Sequence, residues 1–175
     1  MLRSPMESGS GSMPPKPSDN TKNGGPEKLQ KQLRVLIVDD EKFIHRMTVR
    51  MLRAKGIEKE NVVCVERGHA ALELLESDNK FDLILLDLDM PGIKGTDVVM
   101  ALNEKGKQDL IDKIVIQSGT LARDMTAEVC KLIHGRALQK PYEVEDFFAL
   151  IGYIQEHGVA SWRPPVPLGI MPKGE

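Results

Sequence analysis

Polar residues able to do chemistry follow directly on four separate apolar runs. Asp39, Asp40 and Glu41 follow "VLIV"; Asp87 and Asp89 lie within "FDLILLDLDMPGIKG", residues 81–95; Ser118, Gly119 and Thr120 follow "IVIQ"; Lys140 and Pro141 follow "ALQ". Hydrocarbon is unfavourable surroundings for a carboxylate, so an acid placed at the end of such a run needs a reason. Three or more carboxylates gathered at one edge repel, and their pKa values rise unless a cation sits among them. Oxygen-only ligands at an open edge suit Mg2+, which binds few carboxylates and keeps several waters; calcium would want a loop with ligands at alternate positions. The Ser118 hydroxyl and the Lys140 ammonium complement an anion with tetrahedral oxygens, and phosphoryl is the group they fit. One carboxylate would then be the nucleophile, with the metal and the lysine neutralising charge in the transition state. Gly119 leaves the approach to Ser118 open, and Pro141 helps set the course of the chain, with a cis bond as one option. Glu41 and Asp97 are better read as helix caps, a reading that does not account for Asp39, Asp40 and Asp87.

The elements that must carry these residues alternate in type. Leu33–Val38, Asn61–Val65, Phe81–Asp87, Asp112–Gln117 and the weaker Gly135–Gln139 read as short strands. Helices are expected at 42–55, near 68–77 and 96–105, and at 122–133 and 143–157. In the first, Phe43, Ile44, Met47, Met51 and Leu52 form an apolar stripe with Arg46, Arg50 and Arg53 between them, and Gly56 supplies the stop. The expected class is therefore α/β, a doubly wound five-stranded parallel sheet with five helices. Continuous apolar strands fit burial on both faces, and ligand chemistry in such sheets collects beyond the carboxyl ends of the strands. All four polar groups lie there.

The 175-residue chain supports one domain with tails, and its hydrophobic share of 41%, charged share of 29% and net charge of −2 indicate neither disorder nor a strongly basic nucleic-acid binder. No repeat period is evident. No apolar run approaches the roughly 18 residues of a membrane span, and the N-terminus lacks a secretory signal, so the expected location is the cytoplasm, or the nucleus. Residues 1–28 are half Ser, Gly and Pro and are expected to be a disordered lead, with the domain at 29–158 and a Pro-rich tail at 159–175. Trp162 in that tail either docks a partner or covers part of the domain surface. Cys64 and Cys130 lie in apolar stretches without metal-ligand spacing and are read as buried thiols of a reducing compartment.

Over roughly residues 33–157 the chain resembles the receiver domain of two-component response regulators, including the single-domain chemotaxis type. The blocks "VLIVDDE", "DLILLDLDMPGIKG", "IVIQSGT" and "ALQKPY" match its motifs in order. The resemblance implies the flavodoxin-like receiver fold, with Asp87 as phosphoacceptor and Asp39 and Asp40 holding magnesium together with Asp87 and the backbone carbonyl of Asp89. It implies that Ser118 and Lys140 bind the phosphoryl group. Two positions depart from the common pattern. Ala137 stands three before the lysine, where many receivers carry a Tyr or Phe that swings inward on phosphorylation, and Asp89 places an acid where side chains tune hydrolysis.

The implied function is a single-domain response regulator that takes phosphoryl from a phosphohistidine and alters partner binding, not an enzyme beyond its own phosphotransfer and dephosphorylation. Its partners would be a histidine kinase or histidine phosphotransfer protein and a downstream protein target, in a monomer or weak dimer. The segment after residue 157 is too short for a DNA-binding domain. A phosphorelay or phosphate-sink receiver without the usual aromatic switch is the alternative. A haloacid-dehalogenase-type phosphatase also uses D-x-D, but on its first strand with paired acids last, the reverse of the order here. A flavodoxin-like cofactor binder would want a phosphate-cradling loop after the first strand, where this chain has acids.

Overall fold

The structure is a computed structural model and describes residues 32–78, 80–119 and 121–164. The expected lead at 1–28, Thr120 and the tail beyond residue 164 lie outside these residues. Strands β1 (Val35–Val38), β2 (Val62–Val65), β3 (Leu83–Leu86), β4 (Ile114–Ser118) and β5 (Ala137–Gln139) form one parallel sheet in the order β2-β1-β3-β4-β5. Every residue of β1, β3 and β4 is buried, as continuous aliphatic strands require when helices cover both faces. The edge strand β2 is only partly covered, and the buried-thiol expectation fails: Cys64 on β2 is exposed and Cys130, in the helix at 127–132, is half-buried, both as free thiols.

Strand alternation divides the core in two. Leu36, Val38, Ile84, Leu86, Ile114 and Ile116 face one cluster, shared with α2 (Gly68–Ser77) and α3 (Gly95–Glu104). Val35, Ile37, Leu83, Leu85 and Val115 face the other, closed by Leu52 of α1 (Lys42–Ala54) and by Phe147, Leu150, Ile151 and Ile154 of α7 (Val144–His157). Burying one such aliphatic side chain contributes about 1.5–3 kcal/mol. Val159 and Trp162, inside the stretch assigned to the tail, are buried in this second cluster, so Trp162 covers the core.

Seven helices occur among the described residues where five were expected. The extra single turn α4 (Gln108–Ile111) buries Leu110 and Ile111 beneath β4. The expected helix at 122–133 is two pieces, α5 (Leu121–Asp124) and α6 (Ala127–Leu132). Thr126 interrupts it: its backbone is extended and its Oγ1 accepts from the Val129 N–H at 3.2 Å, starting a new helix. Leu121, Met125 and Val129 still recur every four residues on one buried face, which explains why the apolar period alone reads as continuous.

Arg136 is completely buried, donating from Nε to the Ile114 carbonyl at 3.1 Å and from Nη2 to the Ile111 carbonyl at 2.9 Å. It ties the start of β5 to the α4–β4 turn, and burial draws its pKa down to about 10. No described helix is long and apolar enough to cross a membrane.

Candidate functional site

The sheet register brings the distant acids together. Val38 pairs with Leu86 and Leu86 with Ile116, so Asp39, Asp87 and Gln117 occupy the next row across three neighbouring strands. The ladder continues one residue past each strand: the Asp39 N–H donates to the Val65 carbonyl at 3.1 Å, that of Asp87 to Val38 at 2.8 Å and that of Lys140 to Ser118 at 2.8 Å. Two-residue alternation turns Asp39 and Asp87 toward the face covered by α1 and α7.

Both carboxylates are buried, Asp39 at 2% and Asp87 at 8% exposure. Lys140 Nζ donates to Asp39 Oδ2 at 2.6 Å and to Asp87 Oδ1 at 3.3 Å. Carboxylate oxygens of Asp39, Asp40 and Asp87 lie within 4.8 Å of one another. This oxygen-only donor set fits a small hard cation, and three carboxylates against the single Lys140 ammonium favour one.

Burial is the main reason the Asp87 carboxyl is pushed up to about 6; the Lys140 ammonium opposes the shift, and repulsion from Asp39 adds to it. The repulsion expected from sequence is thus present but secondary. For Lys140, burial favours the neutral amine, yet its bond to Asp39 and the charges of Asp87 and Asp39 together raise its pKa above the ordinary lysine value.

The remaining residues fall into place with some corrections. Ser118 is fully buried at the end of β4, and among the described residues nothing beyond its chain neighbours lies within 4 Å of where a Cβ on Gly119 would be. Asp89 is exposed, and its side chain is outside the three-carboxylate group and 3.4 Å from Arg123 Nη2 of α5. Asp97 caps α3, accepting from the Lys94 N–H at 3.1 Å. Glu41 precedes α1 but makes no capping bond; instead its own N–H donates to Asp39 Oδ1 at 2.9 Å. The Lys140–Pro141 peptide is cis, and Ala137 is buried at the start of β5.

Two features escaped the sequence reading. A Cβ on Gly95 would lie 2.1 Å from the Asp87 carbonyl oxygen, so glycine is what lets α3 start against the Asp87 backbone. The signal was the glycine closing the 81–95 stretch. The second is the mouth of the site, where Phe43, Met47 and Val144 are large exposed apolar residues at 58%, 39% and 42% exposure. Helical periodicity counts Phe43 and Met47 in the apolar stripe of α1 without showing that they stay exposed.

A family model described as "Response regulator receiver domain" matches residues 35–152, more than half the chain. Among curated proteins, Probable histidine kinase 4 of Oryza sativa subsp. japonica is 30% identical over 141 residues, covering 67% of this chain and 13% of that protein. The Autoinducer 1 sensor kinase/phosphatase LuxN of Vibrio campbellii is 31% identical over 127 residues, covering 73% of this chain and 14% of that protein. The chain thus spans only about an eighth of the length of these kinases. Among solved structures, the response regulator TrrA of Thermotoga maritima, in complex with Mg2+ and BeF, is 27% identical with a TM-score of 0.57, covering 70% of this chain and 98% of that one. The Francisella response regulator 1452 receiver domain has the same fold, at 22% identity and a TM-score of 0.58 over 70% of this chain and 96% of that one. With the five-stranded parallel sheet and the acids at its carboxyl edge, the match over 35–152 places this chain in the response regulator receiver domain family of two-component systems.

Proposed function

We propose that this receiver accepts a phosphoryl group from a phosphohistidine onto Asp87 in a Mg2+-dependent reaction, and that the product binds a downstream protein differently. The observation that carries this reading is the buried triad of Lys140, Asp39 and Asp87, in which one lysine serves two carboxylates. Asp39, Asp40, Asp87 and the Asp89 backbone carbonyl would hold the ion. When bound, magnesium neutralises charge on the transferring oxygens.

An Asp87 carboxylate oxygen forms the new P–O bond as the donor's N–P bond breaks, its electron pair staying on the imidazole. Lys140 offsets the negative charge gathered on the phosphoryl oxygens, and the Ser118 hydroxyl donates to one of them. A carboxyl protonated near pH 6 is a poor nucleophile, so cation binding at Asp39 and Asp40 and ionisation of Asp87 support each other. The donor is a histidine kinase or histidine phosphotransfer protein, and exposed Phe43, Met47 and Val144 offer it an apolar rim around the acceptor. The phosphorelay or phosphate-sink alternative shares this chemistry and differs only in whether a partner reads the product. Membership in the receiver family gives the hydrolase reading no support.

Asp89, paired with Arg123 at the rim, is assigned to the lifetime of the phosphorylated state. Decay of the phosphorylated wild type and Asp89→Asn should differ; equal rates would discard that role. The proposal as a whole is tested by incubating the protein with autophosphorylated histidine kinases and with a small phosphoramidate. Acid-stable, base-labile label on the protein, dependent on Mg2+, is the expected result; no label from any donor would refute it.

A further inference from the structure

A group of polar side chains lies behind the acidic site, in the face that α1 and α7 otherwise fill with hydrocarbon. Thr48 of α1 is fully buried and Gln117 of β4 is 2% exposed, yet Thr48 Oγ1 and Gln117 Nε2 complete no hydrogen bond. Leaving such a group unsatisfied is unfavourable, so two behind one site call for a reason. Thr48 and Tyr142 line the same cavity as Asp87, Ser118 and Lys140, and both Thr48 and Gln117 act on the Tyr142 phenol. Burial pushes that phenol's pKa up, the Lys140 charge, Thr48 and Gln117 hold it down, and Asp39 reinforces the rise.

Each connection of Tyr142 leads to a part of the site or to the core. Gln117 occupies the row of Asp39 and Asp87 and immediately precedes Ser118. Tyr142 follows Lys140 and Pro141 in sequence, so displacement of the Lys140 backbone carries it along. On its other side the Tyr142 ring stacks on Phe147 in the first turn of α7, with centroids 5.9 Å apart and planes at 13°. Phe147 belongs to the same buried cluster as Trp162, the chain's single tryptophan. Meanwhile Ala137, where an inward-swinging aromatic was the family expectation, is a buried methyl with nothing to swing.

We propose that Tyr142 is the positioning residue that carries phosphorylation of Asp87 to α7, its phenol exchanging partners between Thr48 and Gln117 as Lys140 and the end of β4 shift. A new phosphoryl group brings about −1.5 to −2 of charge beside Lys140 and engages Ser118. The lysine turns from Asp39 toward the phosphoryl oxygens, and Gln117 moves with Ser118. Both shifts converge on the phenol, and its exchange between these two under-bonded neighbours is the two-state element. Only a difference in stabilisation between those arrangements moves the population.

The inference rests on phosphorylation at Asp87, and its test separates the two. The full chain is given Mg2+ and beryllium fluoride, which stands in for a phosphoryl group on a carboxylate, while Trp162 emission is followed; label uptake from a phosphoramidate is measured in parallel. Wild type should change its emission. Tyr142→Phe, which keeps the ring and its stacking, should lose most of that change while uptake stays within about twofold. Thr48→Val and Gln117→Leu should act in the same direction, and combining either with Tyr142→Phe should add little. These variants also guard against a fault confined to Tyr142→Phe, and unchanged thermal midpoints separate transmission from folding. A silent Trp162 in wild type, a full emission change in Tyr142→Phe, or additive losses would each overturn the inference. Failure of uptake in wild type would instead strike the phosphoacceptor reading itself.

Discussion

Lys140 donates to Asp39 at 2.6 Å across 101 residues of chain, and through the same ammonium reaches Asp87 at 3.3 Å. Without it, two buried carboxylates would face each other uncompensated. Lys140→Met should therefore destabilise the metal-free protein by about 3 kcal/mol, the scale for removing one partner of a buried ion pair. Magnesium should restore more stability to this variant than to wild type, because it supplies the missing positive charge. Urea denaturation with and without the ion checks both statements, and equal stability of the two proteins without metal would contradict them.

The pH dependence follows from Asp87. Its folded-state pKa of about 6 lies above the ordinary carboxyl value, so the folded protein holds this proton where the unfolded chain has released it. The stability from that proton is complete below about pH 4 and is lost as pH rises through 6. Asp87→Asn stays neutral throughout. In metal-free buffer it should be more stable than wild type above pH 6, by at most about 3 kcal/mol on a scale of 1.36 per pH unit, and the advantage should vanish near pH 4. Magnesium competes with that proton, so the thermal shift it gives wild type should shrink below pH 6. Thermal melts across this range decide the matter; a constant difference between the proteins at every pH would count against it.

Gly95 gives a prediction about position. In Gly95→Ala the new methyl would lie 2.1 Å from the Asp87 carbonyl oxygen and 3.0 Å from the Leu88 Cα, both backbone atoms that cannot yield without moving the loop. The substitution should lower stability by about 1–3 kcal/mol and slow phosphoryl uptake at Asp87 although no reacting group has changed. Gly106→Ala is the wrong comparison because its φ is positive, so Ala149→Ser on the exposed face of α7 serves as the neutral control. Wild-type uptake and stability in Gly95→Ala would contradict the close approach.

These predictions also show what the sequence makes legible. Central strands are readable because burial on both faces leaves only aliphatic residues in β1, β3 and the Ile114–Ile116 part of β4, and the polar residues that follow stand out by contrast. The meeting of Asp39, Asp87 and Lys140 is readable once parallel order is assumed, since all lie one residue beyond a strand. Helix α5–α6 is misread as one element because Leu121, Met125 and Val129 keep the helical period across the Thr126 break. Cys64 is misread because apolar neighbours do not reveal that β2 lies at an edge. The gathering of Gln117, Thr48 and Tyr142 depends on packing between three distant elements, for which no local pattern exists.

The most direct measurement is Mg2+-dependent phosphoryl uptake from a phosphoramidate by wild type, Asp87→Asn and Asp97→Asn. Asp97 is the informative control, an acid ten residues on that caps α3 through the Lys94 N–H. Uptake should be abolished in Asp87→Asn and retained in Asp97→Asn. Labelling of Asp87→Asn at the wild-type rate would contradict the assignment of Asp87 as the phosphoacceptor.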